Sequence, residues 1–272
     1  MLKRIVSGAV FVLLIVGFFL LRAIDPAFFE ILILAFAAIG TYEMLRAFGN
    51  KITTLQKVVA MVYACASVPV CWFFGFGVSA FLFIALAMVQ LSLAVIFHEK
   101  VTLEGAGLAL LSSAYPSFIL ITMTGVNALS EYSFAALLLI FVISPFADTF
   151  AYFIGSALKG PKLCPKISPN KTVSGAIGGV VGGVIGAVAV YLILGVALSR
   201  PVPPWWFFVV IGAVGSVVTE FGDLVESIIK RKIGIKDMGN IMPGHGGVMD
   251  RIDGMIFISP IVFVCFRLLL LF

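Results

Sequence analysis

Residues 207–218 read FFVVIGAVGSVV, and residues 219–231 continue as TEFGDLVESIIKR. The first part has no charge and suits the hydrocarbon core of a bilayer, where a spanning helix needs ~20 mostly apolar residues. The second part keeps the helical period. At ~100° per residue, Thr219, Glu220, Asp223, Glu226, Ser227, Lys230 and Arg231 fall on one arc of about 140°. Phe221, Gly222, Leu224, Val225, Ile228 and Ile229 fill the remainder. A charge at membrane depth costs at least ~2.5–3.5 kcal/mol on insertion scales. Three carboxylates on one side of such a helix must therefore face a wet cavity, a partner charge or a metal ion. The alternative is a helix end already at the interface, with its charges solvated. Glu226, near the edge of the arc, fits that description better than its neighbours, and Lys232 lies off the arc altogether.

The rest of the chain has the same character. Of 272 residues, 62% are hydrophobic and 11% charged, and the mean hydropathy is +1.19. Soluble domains run at ~45–50% apolar and ~25% charged. A soluble globular enzyme, a disordered chain and a collagen-like rod are excluded. The net charge is +5, but 18 cations in 272 residues make no broad basic face, so no nucleic-acid partner is expected. Apolar runs at 5–21, 28–45, 58–74, 78–97, 106–124, 133–157, 173–198, 205–229 and 254–272 predict an all-α, polytopic integral membrane protein of about nine transmembrane helices. Lys3 and Arg4 precede the first run, but Arg22-Ala-Ile-Asp-Pro follows it with no convincing cleavage site, so it is read as a retained span. Cys65, Cys71, Cys164 and Cys265 form no CxxC pair.

Orientation follows from the cations. With the N-terminus on side one, fifteen of the eighteen Lys and Arg fall on that side, and only Arg22, Arg200 and Arg267 on the other. The positive-inside bias makes side one the cytoplasm and puts the C-terminus outside. The expected location is the cytoplasmic (inner) membrane. Residues 1–272 read as one membrane domain. Residues 1–132 supply helices of little motif content, and 133–272 hold the chemistry-bearing helices with two long cytoplasmic loops, 158–172 and 230–253.

The second loop combines Pro243 and Gly244, Gly246 and Gly247, which permit tight turns and close ligand approach, with Asp250 and Asp253, three apart as on one face of a helical start. With Asp223 these carboxylates suit one or two hard cations. Mg²⁺ takes one or two carboxylates and completes its shell with water and phosphate oxygens. Lys230, Arg231, Lys236 and Arg251 are then natural phosphate partners. His245 has three open roles: a phosphate or metal contact, a proton donor to a leaving group, or a turn-stabilising hydrogen bond. In the first loop Lys159, Lys162, Lys166 and Lys171 alternate with Pro161, Pro165 and Pro169, giving a stiff basic segment. It feeds a helix that starts near Thr172 with no acid in its first turn, an end that favours an anion such as a triphosphate. Asp148, buried in an apolar run after Ser144-Pro145, is a functional candidate by its depth. Glu43 and Arg46 read as an ordinary ion pair at a helix end, and His98 as an interfacial loop residue. The GxxxG spacings among Gly175, Gly178, Gly179, Gly182, Gly183 and Gly186 read as close helix packing.

Ser227-x2-Lys230-Arg231-x4-Lys236-Asp237-x5-Pro243-Gly244-His245-Gly246-Gly247-x2-Asp250-Arg251-x-Asp253 resembles the defining motif of the phosphatidate cytidylyltransferases, or CDP-diacylglycerol synthases. Gly222-Asp223-Leu224 and Glu226-Ser227 resemble that family too. So do Asp148-x2-Ala151-Tyr152-x2-Gly155 and the loop Ser168-Pro169-Asn170-Lys171-Thr172. The chain departs from the family pattern at Asn170, where a lysine is common, and at Val173-Ser174, where Trp-Glu is common. The first four spans carry little identifying sequence. The resemblance implies that CTP and phosphatidic acid give CDP-diacylglycerol and pyrophosphate, in a site facing the cytoplasm. On that reading Asp223 and Asp250 are the leading Mg²⁺ ligands and Asp253 the next, with room for a second cation. Lys171, Lys230, Arg231, Lys236 and Arg251 hold phosphates, Ser227 and Thr172 donate hydrogen bonds, and Asp148, Gly246 and Gly247 belong to the substrate site. His245 joins Asp223, Asp250 and Lys230 as a catalytic candidate. The resemblance also suggests a homodimer, with the glycine-rich seventh span as its interface. The competing readings are an ion or solute transporter and a CTP-dependent lipid kinase. Against transport, the charges cluster at one membrane face and no inverted repeat is evident. The Pro-Gly-His-Gly-Gly match speaks against the kinase.

Overall fold

Helix boundaries in the computed structural model fall where the chain supplies a cap or a breaker. The structure describes residues 2–271, with side chains from Val6 onward. Met1, Phe272 and the side chains of Lys3 and Arg4, which enter the charge count, lie outside it. Helix α1 (Leu2–Arg22) stops before Pro26, and α2 (Ala27–Ala47) starts after it, with Asp25 Oδ1 accepting the Ala27 N–H at 2.8 Å. Thr53 and Gln56 form a capping box that opens α3 (Thr54–Phe74), and Gly75 separates α3 from α4 (Phe76–Ile96). Thr102 caps α5 (Leu103–Ser113), which runs on through a π-helical turn, Ala114–Phe118, into α6 (Ile119–Asn127) as one passage. Then come α7 (Ser133–Leu158), the strands β1 (Lys162–Cys164) and β2 (Ser168–Thr172), α8 (Val173–Tyr191), α9 (Trp205–Ile233) and α10 (Met249–Leu269).

Among the described residues eight passages are long and apolar enough to cross a membrane, and Val6–Arg22 is a shorter apolar helix. The all-α membrane architecture expected from the sequence is therefore present, and α1, at 21 residues, is as long as α2, α3 and α4. Two local expectations change. The stiff 158–172 loop is a two-stranded antiparallel hairpin, β1 with β2. The second loop is shorter than 230–253, because α9 runs to Ile233 and α10 starts at Met249. Asp250 and Asp253 are thus helical residues.

The chain forms two compact units, Met1–Ala128 with Ile233–Ile252, and Leu129–Lys232 with Asp253–Phe272. The Gly-rich turn lies in the first of these units. In the first unit α2 is the central helix, burying Phe29, Leu32, Ile33, Phe36 and Met44. Its buried polar groups are paired, as a low-dielectric interior demands. Glu30 accepts from Thr124 Oγ1 and Asn127 Nδ2, both at 2.7 Å, and Arg22 Nε donates to Asn127 Oδ1 at 2.7 Å.

The second unit rests on α7 and α8. All six glycines of the GxxxG series are buried. A Cβ at Gly182 would stand 2.5 Å from Phe150 Cβ and 2.6 Å from the Phe146 carbonyl, so only a bare backbone fits there. Gly183 meets Ser216 of α9 in the same way. This glycine face, expected as the seat of a second copy, is covered by α7 and α9 of its own chain. Phe207 and Phe266 add an edge-to-face contact at 5.0 Å between α9 and α10.

Overpacking a tight contact costs ~1–3 kcal/mol or more. Gly182→Leu should therefore lower the melting temperature in detergent by ~3–10 °C, or stop the protein eluting as one species in size-exclusion chromatography. Gly77→Ala, where nothing lies within 4 Å of the added carbon, should melt like the parent. Matching melts for all three proteins would contradict this packing.

Candidate active site

In the second unit the polar arc of α9 faces α10 and the hairpin. Asp223 and Glu226 stand almost one turn apart on α9, and α10 supplies Asp253. One carboxylate oxygen from each lies within 4.8 Å of the other two. Gly222 permits this closeness: a Cβ there would be 2.6 Å from the Asp253 carbonyl oxygen. Glu226, read from sequence as the most solvated of the arc, is instead fully buried. Lys230 Nζ, one turn further on, donates to its Oε2 at 2.9 Å. A helix that presents Asp223 inward presents Glu226 to nearly the same side, and the packing of α10 removes the water expected there. Ser227 Oγ donates to Asp223 Oδ1 over a long 3.4 Å, and Asp253 Oδ1 accepts the Gly254 N–H at 2.7 Å.

The hairpin brings the opposing charge. Lys171, near the end of β2, places Nζ 2.7 Å from Asp223 Oδ2 and 3.7 Å from Glu220 Oε1. Burial alone would lower its pKa, but the carboxylates of Asp223, Glu220 and Asp148 outweigh that and hold the ammonium above its ordinary value. Lys171 is therefore a fixed cation at neutral pH. Arg231 Nε donates to the Ile167 carbonyl at 3.4 Å, tying α9 to the hairpin. Thr172 is the N-cap of α8, its Oγ1 accepting the Gly175 N–H at 3.1 Å. The same hydroxyl keeps its O–H for a second partner, the donor role expected of it, and Thr172 lines the adjoining cavity. Asp148, Lys159, Lys162, Lys171, Thr172 and Glu220 line a cavity of about 720 Å³, within the ~300–1,000 Å³ usual for small-molecule sites.

In the first unit the Gly-rich turn is held by helices that carry no motif. Glu43 of α2 is buried, and its carboxylate accepts the Val248 N–H at 3.1 Å and the Met249 N–H at 2.8 Å, satisfying the start of α10. Arg46, the partner that its spacing suggested, makes no ion pair with it within 4.0 Å and acts on it only through its charge at longer range. Gly247 is required because any Cβ would run into the Glu43 carboxylate. Asp250 Oδ2 accepts the N–H groups of Met238 (2.9 Å) and Gly247 (2.8 Å), so it knits the turn together. Met242 and His245 close that turn through backbone bonds at 2.9 Å, with Gly246 at φ +89°, where a side chain would be strained. His245 Nδ1 lies 2.7 Å from Ser7 Oγ of α1, and Ser7 donates to the Pro243 carbonyl at 3.1 Å. Of its three open roles, the structure displays the turn-holding hydrogen bond. Lys236, His245, Gly246 and Arg251 line a cavity of about 590 Å³.

The sequence reading thus missed Glu43, Glu226 and Ser7 as parts of these sites. For Glu43 the signal was its depth in an apolar helix; for Glu226, the three-residue spacing from Asp223. Ser7 had none.

Comparison with known proteins follows the same lines. The family model described as the cytidylyltransferase family matches residues 2–269. The phosphatidate cytidylyltransferase of Bacillus subtilis (strain 168) is 30% identical over 269 residues, 97% of this chain and 96% of that protein. That of Helicobacter pylori is 32% identical over 259 residues, 94% and 88% of the two chains. That of Brucella suis biovar 1 is 36% identical over 150 residues, about half of each chain (55% and 53%).

A buried donor left without its acceptor costs ~1–3 kcal/mol. Glu43→Ala should therefore loosen the turn and raise the rate of tryptic cleavage after Lys236 at least tenfold, mapped by mass spectrometry. Glu43→Gln, which keeps an acceptor oxygen, should fall between that variant and the parent. Equal cleavage of all three would remove Glu43 from this role.

Proposed function

Because this chain belongs to the cytidylyltransferase family, we propose that it is a membrane-embedded enzyme joining the cytidylyl group of CTP to phosphatidate, giving CDP-diacylglycerol and pyrophosphate. The observation that carries the site assignment is the cluster of half-buried Asp223 and Asp253 with buried Glu226, and Lys171 and Lys230 beside it. A phosphate oxygen of the lipid attacks the α-phosphorus of CTP, and the bond from that phosphorus to the bridging oxygen of the β-phosphate breaks. The lipid phosphate already carries the negative charge it needs near neutral pH, since a phosphate monoester loses its second proton at about pH 6. No strong general base is required. The protein's work is to bring two polyanions together and to stabilise charge on the departing pyrophosphate.

Lys171, fixed as a cation, and Lys230 are the phosphate partners nearest the carboxylates, and Arg231 extends that cationic edge along α9. Lys236 and Arg251 serve phosphate oxygens in the cavity that they line, and His245 is held there by Ser7. Ser227 supports the orientation of Asp223. Three hard oxygen donors within 4.8 Å fit Mg²⁺, which prefers carboxylate, water and phosphate oxygens. When bound there, Mg²⁺ would neutralise triphosphate charge and favour release of pyrophosphate. Asp223 and Asp253, joined by Glu226, are its proposed ligands in this cluster, and Asp250, also expected as a ligand, gives one carboxylate oxygen to the turn. The positive-inside charge count supports a site facing the cytoplasm, open to CTP from water and to the lipid from the leaflet.

The decisive assay is pyrophosphate release by detergent-purified protein, with CTP, phosphatidate and Mg²⁺ each omitted in turn. Release should need all three, with a CDP-linked lipid as product. Asp223→Asn should lower turnover more than a hundredfold while elution and melting stay those of the parent. Near-parental turnover of that variant would overturn the carboxylate assignment, and release without phosphatidate would overturn the reaction.

A further inference from the structure

A second ligand-sized space lies on α2 and α3, in residues that the catalytic reading does not use. It is a surface groove of about 760 Å³. Val58, Met61, Val62 and Cys65 line it from α3, at the i, i+3, i+4, i+7 spacing that puts residues on one helix face. This stripe does not pack into the core: Val58 is 53% exposed and Val62 65%. In a membrane-spanning helix such a face meets acyl chains.

The groove is apolar along most of its length and cationic at one end, where the loop 48–53 joins the two helices. Arg46, on the last turn of α2, is exposed there. Lys57, on the first turn of α3, is held by a 2.6 Å bond from Nζ to the Gly49 carbonyl. The neighbouring Lys51 is taken by Glu104 at 3.1 Å, whereas neither Arg46 nor Lys57 has a carboxylate oxygen within 4.0 Å among the described residues. From Lys57 to Ala66 the groove follows α3 for ~13 Å at ~1.5 Å per residue, enough for much of one acyl chain. Two cations above an apolar slot are complementary to one class of ligand: a lipid with an anionic phosphate head.

We propose that this groove is a binding site for an anionic phospholipid, with its phosphate on Arg46 and Lys57 and one chain along the α3 stripe. The site is independent of the catalytic assignment, since none of its residues was given a role in it. The lipid fills a face that the helices leave uncovered and bridges α2 to α3.

Cys65 is a built-in reporter, because its thiol is exposed in the groove while Cys71 is buried and Cys164 and Cys265 are partly covered. Alkylation by N-ethylmaleimide can be followed at each cysteine by peptide mass spectrometry on the full chain in detergent. Dioleoylphosphatidylglycerol should slow labelling of Cys65 at least fivefold and leave Cys164 unchanged. Dioleoylphosphatidylcholine should slow it less than twofold. R46Q/K57Q should abolish the difference, and so should V62W, which blocks the slot with both charges in place. Equal protection by the two lipids, or protection that survives either variant, would overturn the site. Protection by phosphatidate but not by phosphatidylglycerol would assign the groove to the substrate and overturn it as well. The reading is separate from pyrophosphate release, so failure here leaves the proposed reaction standing, and the converse.

Discussion

Three carboxylates held within 4.8 Å of one another, on helices that cross a membrane, are the constraint on which the second unit is built. Like charges at that range repel strongly wherever water is excluded. Cations brought to the cluster and fixed there offset that repulsion. Lys230 answers from within α9, one turn beyond Glu226. Lys171 answers from outside it, and for that the chain between α7 and α8 must turn back as a hairpin. The hairpin ends at Thr172, whose hydroxyl caps α8, so the position of the ammonium and the start of the next helix are settled together.

That arrangement is precise only as far as its helices are. The α7–α8 contact lets two backbones approach over a face with almost no side chains. Gly222 does the same service between α9 and α10, beside Asp253. Small residues therefore set the spacing, and large charged ones exploit it. Lys171 shows the electrostatic result: its surroundings raise its pKa despite burial, so it keeps the charge that phosphate binding needs.

The first unit treats its signature turn in a comparable way. The glycines and Pro243 make a turn that cannot hold itself. Glu43 takes two N–H groups at the start of α10, Asp250 takes two within the turn, and Ser7 holds His245. Helices that looked empty of chemistry are therefore the frame of the most recognisable segment in the chain. The lipid-facing sides of the same helices remain uncovered, which is where the Arg46–Lys57 groove lies.

The sequence by itself determined the helical membrane architecture, because a bilayer leaves an apolar run of ~20 residues few alternatives to a helix that satisfies its own backbone. It also located the functional segments, since carboxylates and prolines are costly in such helices and stand out against them. Within a helix the spacing of Asp223, Ser227 and Lys230 was legible for the same reason. What only the tertiary structure decided was the partner of each charge. Glu226 stands nearer the edge of the polar arc than Asp223, yet it is the one fully buried, beside Asp253 of α10. Glu43 lies 205 and 206 residues before the two N–H groups that it caps, and Arg46, its near neighbour in sequence, is the partner that local spacing suggests. Periodicity reports which face a residue occupies. It carries no information about which distant backbone arrives there, and hydrogen bonds and ion pairs act only over the few ångströms that such an arrival supplies.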